Sequence, residues 1–171
     1  MSIRLFRAGV LLIVTASAAV AMAADWPHWG GSQGVNAGSE TGLPALFGPG
    51  MRTRTHLGVD EASTQNVDWV ARIGTENYST PTVSQGRVLI GANDGAIDDP
   101  RYEITEGGVL LCLDEKTGAL LWRLVLPKLE IDRKLVSEDF DDMDLGVCAS
   151  ATVDGDLVYL VTNRCEVLCL D

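Results

Sequence analysis

The middle of the chain contains short apolar segments of about five to eight residues, rich in Val, Ile and Leu, which are separated by Gly- or Asp-containing turns. Such segments between turn residues are typical of β-strands that pair as hairpins. The pattern predicts one four-stranded antiparallel unit over residues 77–126, with strands at 78–84, 86–92, 108–114 and 119–126.

Part of this unit occurs twice. Its third strand ends in Leu-Cys-Leu-Asp at 111–114, and the same four residues return at 168–171, an offset of 57. Upstream, "PTVSQGRVLIG" at 81–91 resembles "ATVDGDLVYLV" at 151–161 with an offset of 70. The offsets differ because the first copy holds about thirteen additional residues, which we expect to form a loop insertion within 92–108.

A third similarity precedes both copies, where "NVDWVARIG" at 66–74 matches "ALLWRLVLP" at 119–127. This match aligns Trp69 with Trp122, so we expect a Trp-bearing outer strand at 67–73. Four antiparallel strands per repeat at this spacing are typical of β-propeller blades.

The predicted fold is therefore all-β, with antiparallel four-stranded blades of a β-propeller. We expect a complete blade at 77–126, an incomplete blade at 146–171, and a strand at 67–73 that closes the ring by completing the final blade. On this interpretation the sequence stops inside its second blade, at Asp171, and is the N-terminal piece of a longer propeller with fewer than two complete blades.

The residues between the third and fourth strands of the complete blade, 114–118, predict a tight turn. The carboxyl group of Asp114 can accept hydrogen bonds from the backbone N–H groups that follow it. Gly118 supplies a positive φ that residues with a Cβ tolerate poorly. We expect the ring of Trp122 to be buried between this blade and its neighbour.

This element resembles the Ala-x-Asp-x-x-Thr-Gly-x-x-x-Trp repeat motif of the PQQ-type β-propeller proteins, with Cys in place of Ala. The matching residues are Cys112, Asp114, Thr117, Gly118 and Trp122, and the partial repeats add Trp69, Cys169 and Asp171. The stretches "DWPHWGG" and "SETGLP" are also similar to the openings of exported bacterial proteins of this kind.

The resemblance implies an architecture more strongly than an activity, because scaffold proteins and quinoprotein dehydrogenases share the motif. The first implied function is a protein-interaction scaffold at the cell envelope, with protein partners and no cofactor. The alternative is the N-terminal part of a PQQ-dependent alcohol or sugar dehydrogenase, which would hold PQQ and calcium beside a vicinal Cys-Cys pair. Here Cys148 is followed by Ala149, so the scaffold is favoured and no catalytic residue is assigned.

The first 23 residues have the order of a secretory signal peptide. Arg4 and Arg7 precede a short apolar run that ends in Ala21-Met22-Ala23. The run is short for a membrane span, which needs about 20 apolar residues. We therefore predict a signal peptide at 1–23, an N-terminal extension at 24–65, no transmembrane span in the mature chain, and a periplasmic or secreted location.

Charge narrows the class of partner. The full sequence has 13 Lys and Arg against 24 Asp and Glu, a net charge of −11, and removing two arginines with the signal peptide makes it −13. Nucleic acid and anionic membrane surfaces are poor partners for such a chain.

We expect structural roles for the cysteines, the acidic stretches, and the remaining tryptophans and histidines. Cysteines within strand-like text are expected to be buried thiols that act as small apolar residues, with no zinc spacing among the four: Cys112, Cys148, Cys165 and Cys169. The acidic stretches at 93–99 and 137–144 are expected to be solvated loops, and Asp139, Asp141 and Asp144 do not fit a calcium loop. Trp26 and Trp29 are expected to anchor the extension onto the domain surface, with His28 and His56 structural or exposed.

Overall fold

The computed structural model describes residues 25–31, 38, 41–55, 58–97, 99–128 and 144–171. These residues form an all-β fold with antiparallel sheets of two, four and three strands, and the described sheets do not form a closed ring. The predicted signal peptide and most of the acidic stretch at 137–144 lie outside the described residues. Within the described residues, no helix is long and apolar enough to cross a membrane.

The strands, in chain order, are β1 Met51–Arg52, β2 Val59–Asp60, β3 Thr82–Ser84, β4 Arg87–Asn93, β5 Gly108–Asp114, β6 Leu120–Leu126, β7 Thr152–Asp154, β8 Leu157–Val161 and β9 Val167–Leu170. A 3-10 turn, Glu61–Ser63, follows β2. The small sheet contains β1 and β2, and the two larger sheets have the orders β3-β4-β5-β6 and β7-β8-β9.

The four-stranded sheet confirms the predicted antiparallel unit. β4 and β5 pair along their whole lengths, from Arg87↔Asp114 to Asn93↔Gly108. β5 then pairs with β6, with Cys112 opposite Trp122 and a bulge between Cys112 and Leu113. The loop insertion between β4 and β5 is also confirmed, since residues 94–107 connect the two strands.

The first strand of this sheet is shorter than the predicted 78–84, since β3 begins at Thr82. Residues before Pro81 approach β4 through a side chain instead of a backbone ladder. The Ser79 hydroxyl donates to the Gly91 carbonyl oxygen at 2.8 Å and accepts from the Gly91 N–H at 2.9 Å. A side chain that occupies both backbone groups of Gly91 leaves none for a strand at 78–81.

The N-terminal extension lies along β3 and β7, the first strands of the two larger sheets. Trp26 and Val83 exchange two backbone hydrogen bonds, of 2.7 and 2.9 Å. The Val153 N–H donates to the Pro27 carbonyl oxygen at 2.7 Å. The expectation that this segment anchors the extension is confirmed for Trp26, whereas Trp29 is 66% exposed.

The apolar core has two layers, one on each face of the four-stranded sheet. Side chains between the two larger sheets form the first layer, which contains Leu89, Leu110, Cys112, Leu126, Val147, Ala151 and Leu160. The second layer contains Ile90, Ala92, Val109, Leu111 and Leu113. Both faces of β5 are therefore buried, which explains its continuous apolar sequence.

Residues 67–73 pair with none of the described strands, so a ring-closing strand at 67–73 stays a prediction. Trp69, Ala71 and Ile73 pack across the second core layer. Alternate residues face the sheet, so the period of two is present without a hydrogen-bonded neighbour. The sequence pattern reports which side chains are buried, and that property is shared by strands and by extended segments.

Candidate functional site

The turn that connects β5 to β6 is built around Asp114. Its Oδ1 accepts hydrogen bonds from the backbone N–H groups of Lys116 at 3.1 Å and Thr117 at 2.8 Å, and from the Thr117 hydroxyl at 2.7 Å. The Thr117 hydroxyl and backbone N–H are the main causes that lower the pKa of Asp114 below its ordinary value. Gly118 has a φ of +68°. Both predictions for this turn are confirmed.

Trp69 packs onto the same turn. Its indole Nε1–H donates to the Glu115 carbonyl oxygen at 2.9 Å. The ring lies so close to Gly118 that an added Cβ would be 2.6 Å from Trp69 Cδ2. We call this arrangement the Trp69 seat. The sequence aligned Trp69 with Trp122 but did not indicate that Trp69 would contact the turn of the complete unit.

Trp122 corresponds to Trp69 in the sequence match and has a different environment. It is 38% exposed, so the expectation of a buried ring between two blades is wrong in the described structure. The ring lines an open groove of about 560 Å³ together with Leu121, Leu170 and Asp171. The groove lies between the two larger sheets, at the end where the chain turns from β3 to β4 and from β7 to β8.

The repeated Leu-Cys-Leu-Asp has opposite burial in its two copies. In β5, Cys112 is fully buried, and burial raises the pKa of its thiol above the ordinary value. In β9, Cys169 is exposed. The prediction of a buried thiol is confirmed for Cys112 and wrong for Cys169, because β5 is covered on both faces and lies between two strands.

The exposed side of the second large sheet is a continuous apolar surface, which we call the outer face. It consists of alternate residues of β8 and β9, since Tyr159 pairs with Cys169 and Val161 with Val167. The exposed fractions are 38% for Tyr159, 48% for Val161 and 75% for Val167. The Cys169 thiol, followed by burial and by the carboxyl group of Asp154, raises the pKa of Tyr159. The opposite side of this sheet packs into the first core layer.

The loop insertion is partly buried and is not the solvated acidic loop that the sequence predicted. Asp94 is 1% exposed, and its Oδ2 accepts from the backbone N–H and the hydroxyl of Thr105, both at 2.6 Å. Asp99 makes an ion pair of 2.6 Å with Arg101, which together with the Arg101 backbone N–H holds the pKa of Asp99 far below its ordinary value. The insertion is therefore fixed by its acidic side chains.

The described residues offer no cluster of three or more His, Cys, Asp or Glu side chains that is arranged for a metal ion. Cys148 is exposed, with its Sγ 3.7 Å from the Gly146 carbonyl oxygen. Because the next residue is Ala149, this position cannot form the vicinal disulfide that the dehydrogenase alternative implies.

We compared the chain with models of known protein families and with curated proteins, and neither comparison found a match. The function of the chain is therefore inferred from its own geometry. Its candidate functional site is the surface formed by the outer face, the adjoining edge of β9 and the groove beside Trp122.

Proposed function

We propose that this protein is an exported, PQQ-like β-propeller repeat protein that acts as a protein-interaction scaffold at the cell envelope. The architecture is supported by the repeat of Leu-Cys-Leu-Asp, the Asp114 turn with its positive φ at Gly118, and the packing of consecutive sheets face to face. Export is inferred from the order of basic, apolar and small residues at 1–23.

The observation that carries the scaffold proposal is the outer face. A monomeric soluble protein exposes large apolar residues mostly one at a time, and a contiguous apolar surface marks an interaction site. On the outer face, Leu157, Tyr159, Val161 and Val167 are each between 37% and 75% exposed. The two paired strands place these side chains next to one another.

The chemistry near this surface favours binding over catalysis. Among the described residues from β7 to β9, the ionisable groups near this surface are the Tyr159 phenol, the Cys165 and Cys169 thiols, an Arg164–Glu166 ion pair of 3.5 Å, and the carboxyl groups of Asp154, Asp156 and Asp171. An activated nucleophile needs a base within hydrogen-bond reach. The raised pKa of Tyr159 disfavours the ionised phenol, so this tyrosine suits packing and hydrogen bonding better than attack.

Two measurements test the proposal. Expression of the whole chain in a Gram-negative host, followed by osmotic shock and intact mass analysis, should recover a chain that begins at Ala24. A photoreactive amino acid at Val167 should then cross-link to a defined envelope protein in cells of the source organism, whereas the same probe at Arg54, exposed in the extension, should not. A chain that keeps residues 1–23 in the cytoplasm would contradict export. Equal cross-linking from both positions would contradict a specific scaffold surface.

A further inference from the structure

A pocket of about 380 Å³ lies on the four-stranded sheet, over β5 and β6. Its apolar lining includes Leu111 and Leu113 of β5 and Leu120 of β6. Residues 71–73 line it from one side, and residues 96–97 of the loop insertion line it as well. Ligand pockets commonly have volumes of about 300 to 1,000 Å³ and a mainly apolar lining, so this pocket is large enough for a small organic molecule.

The pocket is enclosed by residues from the interior of the sequence. Segment 69–74 crosses the sheet from Gly118, which contacts the Trp69 ring, toward Asn93, whose Oδ1 accepts from the Thr75 N–H at 2.8 Å. The pocket lies on the β6 side of this segment, because β5 and β6 line it and none of the described residues of β3 or β4 does. In the repeat interpretation this segment is the outermost strand of its blade, so its partner strand lies on the opposite side and the pocket stays accessible.

Arg123 of β6 brings to the pocket a guanidinium group without a hydrogen bond among the described residues. Its side chain is 13% exposed, and its Nη2 is 3.8 Å from Asp99. Both oxygens of that carboxylate already accept from Arg101, at distances of 2.6 to 3.2 Å. The Tyr102 ring lies 5.1 Å from the Arg123 guanidinium carbon. A largely buried guanidinium with five N–H donors and no acceptor is unfavourable, and an acceptor in the pocket would satisfy it.

Arg72 adds a second positive charge to the same pocket. Its side chain is exposed, and it forms no ion pair among the described residues. No Asp or Glu is present among the described residues that line the pocket. Asp99 adjoins Arg123, but its charge is shared with Arg101. The pocket therefore presents net positive charge in a chain of net charge −11, which favours an anionic ligand.

The strand register separates the charged end of the pocket from its apolar end. Arg123 is opposite Leu111, and Leu120 is opposite Leu113. Leu111 and Leu113 are two residues apart on β5, a distance of about 7 Å along a strand. An anionic group held by Arg123 would therefore place an attached chain over Leu113 and Leu120. Leu120 is 42% exposed, and such a chain would cover it.

We propose that this pocket binds a small monocarboxylic acid with an aliphatic chain, whose carboxylate is held by Arg123 and Arg72 and whose chain covers Leu113 and Leu120. Carboxylates form strong charge-assisted hydrogen bonds with guanidinium groups, and burial of the chain adds apolar stabilisation. None of the described lining residues belongs to β7, β8 or β9, so this binding site is independent of the proposed scaffold surface.

The probe is octanoate, used below its micellar concentration. Equilibrium dialysis of radiolabelled octanoate against the purified chain measures binding, and leucine methyl NMR locates it. We expect saturable binding that shifts the signals of Leu111, Leu113 and Leu120 but not that of Leu121, which lines the groove beside Trp122. Octanamide keeps the chain without the negative charge, and acetate keeps the carboxylate without the chain. Each should compete about 10-fold or more weakly than octanoate.

Charge variants test the two arginines. Arg72→Gln should weaken octanoate binding about 10-fold at low salt and less at high salt, because an exposed charge is screened. Arg54→Gln removes the same charge from the exposed extension and should leave binding unchanged. Arg123→Gln should weaken binding about 10-fold, and Arg123→Lys should restore part of it. Circular dichroism of each variant verifies that the sheet is retained.

Two adjacent leucines of β6 test the apolar end. Leu120 and Leu121 are 42% and 50% exposed, and they line different cavities. Leu120→Ala should weaken octanoate binding about 5-fold, whereas Leu121→Ala should change it less than about 2-fold.

Four outcomes would overturn the proposed site. Equal affinity for octanamide would show that the guanidinium groups do not select the carboxylate. Equal losses in Arg72→Gln and Arg54→Gln would reduce the effect to overall charge, and equal losses in the two leucine variants would place the chain outside the pocket. Absence of saturable binding at millimolar octanoate would reject the site and leave the cross-linking test of the scaffold proposal unaffected.

Discussion

The indole ring of Trp69 lies against the Cα of Gly118, and the space it occupies excludes any side chain at that glycine. The Trp69 Nε1–H also donates to the Glu115 carbonyl oxygen at 2.9 Å. A residue that precedes the four-stranded sheet is thereby fixed to the turn between its last two strands. This contact holds the segment containing Trp69, Ala71 and Ile73 over the second core layer.

Trp69→Ala should destabilise the fold by about 3 kcal/mol, the lower part of the range for emptying a large aromatic site, because Trp69 is only partly buried. Trp122→Ala is the matched control. Since Trp122 is 38% exposed, we expect a cost of about 1 kcal/mol. Urea unfolding followed by circular dichroism measures both, and equal losses for the two variants would show that the Trp69 seat is not the stronger contact.

Gly118→Ala should be more harmful than the same change at Gly86. Both glycines have a positive φ, of +68° and +75°, so each substitution strains the backbone by about 1 kcal/mol. At Gly118 the new methyl group also meets the Trp69 ring, whereas nothing lies within 4 Å of a Cβ at Gly86. We expect Gly118→Ala to cost about 2 kcal/mol or more. Urea unfolding midpoints of the two alanine variants measure the difference. Identical midpoints would show that backbone strain accounts for the whole loss at Gly118 and that the contact with Trp69 adds nothing.

Acidification should weaken the fold through Asp114. Its pKa is lowered in the folded state by Thr117, so its stabilising contribution is fully present above the unfolded pKa of about 3.9 and is lost as the pH falls through the lower folded pKa. Asp114→Asn should therefore lose less stability between pH 5 and pH 2 than the unmodified chain.

Urea midpoints across that pH interval measure the effect of Asp114. Asp156→Asn serves as the control, because Asp156 is an exposed carboxylate without a hydrogen bond among the described residues. If Asp114→Asn and the unmodified chain had parallel pH profiles, the turn would contribute nothing to acid sensitivity.

Thr105→Val should destabilise the fold by about 1 to 3 kcal/mol, because it removes a hydrogen-bond donor from a buried carboxyl group. Asp94 is 1% exposed, and its Oδ1 already lacks a hydrogen-bond partner. Thr105→Ser keeps the hydroxyl and should cost less than about 1 kcal/mol. Proteolysis within the loop insertion should accelerate in the valine variant alone, and equal behaviour of the two variants would contradict the importance of the hydroxyl.

The sequence alone determined the strands and the turn wherever the information is local. The short apolar run at 108–114, which ends at the Asp114 turn, predicted β5 with its observed bounds. The side chain of Asp114 reaches backbone groups two and three residues away, and Gly118 needs its φ for a local turn. Such features depend on neighbouring residues, so a single sequence is enough to predict them.

Only the tertiary structure decided which equivalent residues are covered. Cys112 and Cys169 have the same neighbours in sequence, yet one is fully buried and the other exposed, because β5 has a strand on each edge and packing on each face. Trp69 and Trp122 likewise align but contact different surroundings, and Asp94 is buried by the fold of its own loop. Burial is set by the elements that a chain brings together over long separations, and a repeated local pattern does not specify which neighbours each copy will have.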